Sequence, residues 1–129
     1  MRLDTATVAR IVATPYRAGG DQIGTGWDCW GCVAWGLQNL FGLDVRAWRR
    51  PDDTTATMAL AAHHGAWREA EALAPGVVIA ALRDGRVVHH VGLLLSATHV
   101  MHCSEIGTRI ETIGAFGPDA KFYEPRPCC

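Results

Sequence analysis

Cys29 follows Asp28 and the glycine-rich stretch Gly24-Thr25-Gly26, and it opens a run in which Val33, Leu37, Leu40 and Phe41 recur at helical spacing. A cysteine in the first turn of a helix lies among unpaired backbone N–H groups at the positive end of the macrodipole, which favours thiolate over thiol. The same N–H groups can hold the oxyanion of a tetrahedral intermediate, and the preceding glycines let backbone and substrate approach closely. A thiol nucleophile needs a base. His89 and His90 sit side by side in an expected strand, pointing to opposite faces, so only one of them can serve Cys29. His90 shares its face with Gly92, where a missing side chain leaves room for a substrate or a helix, and His89 stays open as the alternative. His102, on the next expected strand, is placed to orient the imidazole if strands 87–95 and 99–103 form a hairpin. A Cys-His-His set of this kind performs acyl chemistry through a covalent thioester.

Other readings of the same residues compete. Cys29 and Cys32 form a C-x-x-C pair, which suits a redox couple or half of a zinc site completed by His102 and Cys103. Taken alone, Cys32 lies nearly one turn after Cys29 and packs beneath the helix. Trp27, Asp28 and Trp30 surround the nucleophile and are expected to line a substrate groove, with core packing the alternative for the tryptophans. His63, His64 and His99 read as solvent-facing or capping groups, and Arg46, Arg49 and Arg50 beside Trp48 read as a solvated basic surface.

The elements that must position these groups follow from periodicity. Asp4 to Thr14 predicts a short helix through Val8, Ile11 and Val12, ended by Pro15 and Gly19-Gly20. The Cys29 helix closes at Gly42, Pro51 to Thr54 is a capping turn, and Thr55 to Leu73 predicts one or two further helices. From Pro75 the composition turns to strands: Val77 to Ile79 and Arg86 to Leu95 joined at Asp84-Gly85, then His99 to Cys103 and Thr108 to Thr112 around Ile106-Gly107, and Lys121 to Glu124. Helices followed by a mainly antiparallel sheet give an α+β fold. The expectation is one domain over residues 1–129, with 125–129 as a mobile tail.

Composition removes several functions. The chain is 49% hydrophobic and 19% charged with a net charge of −1, which argues against a disordered chain and against nucleic-acid binding. No apolar run reaches the roughly 18 residues of a membrane span, and charges interrupt the N-terminus where a signal peptide needs an apolar core. Five cysteines in this arrangement make a poor disulfide framework, so reduced thiols are expected.

Asp28-Cys29-Trp30-Gly31, His90-Val91-Gly92-Leu93 and Met101-His102-Cys103 resemble, in order and spacing, the three motifs of NlpC-like cell-wall peptidases. Thr14-Pro15-Tyr16 and Pro75-Gly76-Val77-Val78 are similar to that family too, particularly to members encoded in phage and prophage tail modules, which often carry tryptophan after the nucleophile as Trp30 does here. The resemblance implies a circularly permuted papain-like fold and hydrolysis of amide bonds in peptidoglycan stem peptides, with Cys29 as nucleophile, His90 as base and His102 as orienting residue. It implies no metal and no organic cofactor. It also implies phage tail hub or tip proteins as partners, synthesis in the host cytoplasm, and action from the virion on the periplasm or cell wall. The rival expectation is a structural tail-hub subunit that keeps the fold with little or no activity; a third keeps the site but performs amidase or acyl-transfer chemistry.

Overall fold

Asp4 starts the first helix by accepting the Thr7 N–H on Oδ1 at 2.7 Å, and α1 (Thr5–Val12) then buries Ile11 in the core. The structure is a computed structural model, and it describes residues 3–43, 67–83 and 87–125. After α1 the chain makes a small antiparallel hairpin, β1 (Asp21–Gln22) with β2 (Gly26–Trp27), which the glycine-rich stretch forms through positive φ at Gly24 and Gly26. The helix α2 (Cys29–Asn39) follows at once, with Gly42 at φ 68 turning the chain away.

The rest is an antiparallel sheet. Its strands β3 (Trp67–Glu69), β4 (Val78–Arg83), β5 (Val87–Leu94), β6 (His99–Ser104), β7 (Gly107–Thr112) and β8 (Lys121–Pro125) are ordered β3-β8-β4-β5-β6-β7. Helices before an antiparallel sheet are the α+β architecture that the periodicity predicts.

One expectation is corrected. Trp67 to Glu69, within the stretch read as helical, pair with Tyr123 to Pro125 as an edge strand. Local propensity loses here because the Trp67 side chain is buried edge-on against Trp30, with ring centroids 6.1 Å apart, and strand pairing satisfies its backbone. The capping turn at Pro51, the arginines 46, 49 and 50, Trp48, His63, His64, the Asp84-Gly85 turn and Cys128-Cys129 lie outside the described residues.

The two faces of the sheet carry different loads. Val78, Ala80, Val91, Leu93, Met101 and Cys103 face the helices and form the larger core with Ile11, Trp27, Trp30, Val33 and Leu37. Val77, Ile79, Ala81, Leu94 and Val100 face the other way, against Phe116 of a 3₁₀ turn at Ile113–Phe116. A buried polar chain ties the N-terminal segment to β7: Trp27 Nε1 donates to Thr108 Oγ1 at 2.8 Å, and Thr108 Oγ1 donates to the Thr14 carbonyl at 2.8 Å.

Two glycines set how closely α2 approaches. A β-carbon at Gly31 would overlap the Gly20 carbonyl oxygen, whereas one at Gly36 would meet the Leu93 Cδ2 methyl, the mobile end of a side chain. Alanine improves intrinsic helix propensity by about 1 kcal/mol at either position. Overpacking against backbone costs about 1–3 kcal/mol or more. Gly31→Ala is therefore expected to lower unfolding free energy clearly and Gly36→Ala to change it by less than about 1 kcal/mol, a contrast measured by urea unfolding of the two variants.

Candidate active site

Cys29 is the first residue of α2, and Asp28 fixes where that helix begins. Its Oδ1 accepts the Gly31 N–H at 2.8 Å as an N-cap, and its Oδ2 accepts the Gly19 N–H at 3.1 Å, so one carboxylate ties the loop to the helix start. Cys29 is half-buried. Around it stand Tyr16 and Cys103: burial raises the Tyr16 phenol above its ordinary value, and Asp28, Glu105, Cys29 and Cys103 push it the same way. Burial likewise raises the thiol of Cys103, whose Sγ donates to the Trp27 carbonyl at 3.3 Å.

The histidines come together where Phe116 packs against β5 and β6. Between β4 and β5 the register runs Ala81↔His90 and then Leu82↔Val88, leaving His89 as the extra residue of a β-bulge. His89 is exposed, and His90 makes the contact with the neighbouring strand: its Nε2 lies 2.8 Å from His102 Nδ1. His102 Nε2 in turn lies 2.6 Å from Glu111 Oε2 on β7. The Phe116 ring stacks on His90 at 5.2 Å and meets His102 edge-on at 5.1 Å. The space left by Gly92 is filled by this ring and by Val100, since a β-carbon there would come within 2.8 Å of Phe116 Cζ and 2.6 Å of Val100 Cγ2. It admits an aromatic side chain of the protein itself, in place of the substrate or helix the sequence left open. Beside the ring, an open cavity of about 480 Å³ is lined by His89, His90, His102, Ser104, Phe116 and Gly117.

The hydrogen-bond partners dictate the tautomers. The His102 bond holds the Glu111 carboxyl below its ordinary range, so it is an ionised acceptor and His102 Nε2 carries the proton. With its Nε2–H given to Glu111, His102 offers Nδ1 to His90 Nε2–H, leaving the lone pair of His90 on Nδ1, the nitrogen fit to take a proton.

Of the other expected site residues, Trp27 and Trp30 lie in the core. Trp27 is 0% exposed with its indole N–H given to Thr108, and Trp30 is 3% exposed against Trp67, so neither lines a groove. Asp28 holds backbone on both carboxylate oxygens. The C-x-x-C alternatives meet a geometric obstacle. Cys32 is fully buried and burial pushes its thiol well above the ordinary value, while His102 and Cys103, adjacent on β6, point to opposite faces and cannot both turn to one ion. Glu111 and Phe116 belong to the site although motif spacing does not reveal them. Strand alternation places Glu111 on the His102 face only once the β6–β7 register is known.

The model of the NlpC/P60 family matches residues 13–120. The chain belongs to the NlpC/P60 family. The family comprises cysteine peptidases and amidases that act on peptidoglycan, and this member's fold is also that of a solved structure, the NlpC/p60 domain of peptidoglycan hydrolase SagA. The two share 19% sequence identity over 94% of each chain with a TM-score of 0.61. No curated protein matches the NlpC/P60 chain at significant similarity.

Burial, with His102 and His89 nearby, lowers the His90 pKa from 6.5 to about 4. The unfolded chain binds a proton at His90 first as pH falls, so this group costs stability progressively from 6.5 down to about 4 and adds no further loss below. The full loss is on the order of 3 kcal/mol. The Glu111 contribution is also lost on acidification, but below the ordinary carboxyl value of 4.5, so the two windows separate. Unfolding free energy of the wild type is expected to fall between pH 6.5 and 5, and in His90→Gln that slope is expected to flatten, as urea titrations across the range measure.

Proposed function

We propose that the chain is a cysteine endopeptidase cleaving peptide bonds in peptidoglycan stem peptides, with Cys29 as nucleophile, His90 as base and His102 as its orienting partner. The observation that carries this reading is the 2.8 Å contact between His90 Nε2 and His102 Nδ1, which commits one ring nitrogen and leaves the other for proton transfer. The NlpC/P60 membership and the fold shared with a peptidoglycan hydrolase supply the substrate class.

In this mechanism His90 Nδ1 takes the Cys29 thiol proton as sulfur attacks the scissile carbonyl carbon, and the carbonyl π-electrons move onto oxygen. The N–H groups at the start of α2 stabilise that oxyanion. Collapse breaks the C–N bond, the amine leaves with the proton returned by His90, and a thioester remains on Cys29. Water, deprotonated by His90, attacks the thioester, releasing the new carboxylate and restoring the thiol. Because His90 acts as a neutral base, activity is lost as pH falls through its own pKa.

Turnover of purified stem peptides, with products identified by mass spectrometry, tests the assignment. Cleavage is expected in wild type and Cys32→Ala and abolished in Cys29→Ala, and the acid limb of kcat/KM is expected near 4, well below the ordinary histidine value of 6.5. A folded wild type that cuts no stem peptide refutes the proposal, and equal loss in the Cys29 and Cys32 variants returns the C-x-x-C reading.

The Thr14-Pro15-Tyr16 segment and the tryptophan after the nucleophile support a finer placement among phage tail-tip components, acting on the wall from the virion beside hub or tip proteins. The chain is then expected among the proteins of purified particles by mass spectrometry, and its consistent absence there removes the tail role.

A further inference from the structure

We infer that Glu111 is a positioning residue that sets the tautomers of His102 and, through it, of His90. The inference rests on the peptidase reading above and adds a fourth side chain to it. Glu111 Oε2 accepts from His102 Nε2 at 2.6 Å, whereas Arg109, the cation on its other side, reaches Oε1 at only 3.7 Å. The short, charge-assisted bond is to the imidazole. Both partners are held in place. On β6 and β7, His102 stands opposite Arg109 and Val100 opposite Glu111, so the carboxylate reaches the imidazole diagonally across one face. Phe116 packs against both rings, stacked on His90 and edge-on to His102. Among the described residues, the ionisable groups on this face around His102 are His90 and His89 from β5 and Arg109 and Glu111 from β7. Ala81, Ser104, Ala115, Phe116 and Gly117 complete the lining of the cavity with groups that do not titrate.

The consequence of losing Glu111 can be followed atom by atom. Without an acceptor at Nε2, His102 is free to carry its proton on Nδ1, where it points at His90 Nε2. His90 must then accept on Nε2 and hold its own proton on Nδ1, the nitrogen that should take the thiol proton. The ring stays in place but its lone pair is on the wrong atom, and proton transfer from Cys29 fails.

Histidine ¹⁵N NMR and stem-peptide kinetics on the full chain, comparing wild type, Glu111→Leu and Arg109→Leu, test the link. In wild type and Arg109→Leu, His90 and His102 are expected as Nε2–H tautomers. In Glu111→Leu both rings are expected to shift toward Nδ1–H, with kcat reduced about tenfold or more and KM little changed. Unchanged tautomers and kcat in Glu111→Leu would overturn the inference, as would a fall in kcat with the tautomers unmoved, which marks a merely structural role. A folded wild type without turnover defeats the peptidase reading itself, and the ring tautomers then still decide whether Glu111 governs the histidines.

Discussion

The site depends first on how closely α2 can lie against its surroundings. Gly36 lies beneath Leu93 and Gly31 rests on the Gly20 carbonyl, where a side chain would hold the helix off the loop. Because Cys29 is the first residue of that helix, its location is inherited from these contacts and from the two hydrogen bonds accepted by Asp28. Cys29, the proposed nucleophile, is thus positioned by backbone packing and capping, on an element that also buries Trp30, Cys32, Val33 and Leu37.

The sheet does a second job by separating two environments. Alternation sends Val91, Leu93, Met101 and Cys103 into the core under the helices, and His90 and His102 towards Phe116. Burial of His90, ahead of the nearby His102 and His89, is the leading reason its imidazole stays neutral over most of the pH range. A base that rests neutral has its lone pair available, and the energetic penalty of its burial is borne as reduced stability in acid.

Much of this was legible in the residues themselves. Cys29 at the head of an apolar helical run marked the start of α2, and alternation in Val87 to Leu95 put His89 and His90 on opposite faces without choosing between them, because both signals are local. What escaped was set by contacts distant in sequence. Trp67 became a strand by pairing with β8 and packing on Trp30, against its helix-favouring surroundings. Trp27 and Trp30 looked like groove residues because they flank the nucleophile, yet a buried hydroxyl, Thr108, was waiting for one indole N–H some eighty residues away. Glu111 became visible only with the register of β6 on β7, and the ring that fills the Gly92 space comes from a 3₁₀ turn that periodicity does not announce.

That register is set at a single place. Ser104 pairs with Gly107, so only Glu105 and Ile106 form the loop, with the Ile106 side chain 71% exposed. The loop acts as a ruler. Its side chains can vary freely in evolution, but a change of its length by one residue would turn Arg109 and Glu111 inward and Thr108 and Ile110 outward, trading the histidine partner for an apolar side chain and opening the core in one stroke. Sequence drift at this tip should therefore be wide in chemistry and narrow in length.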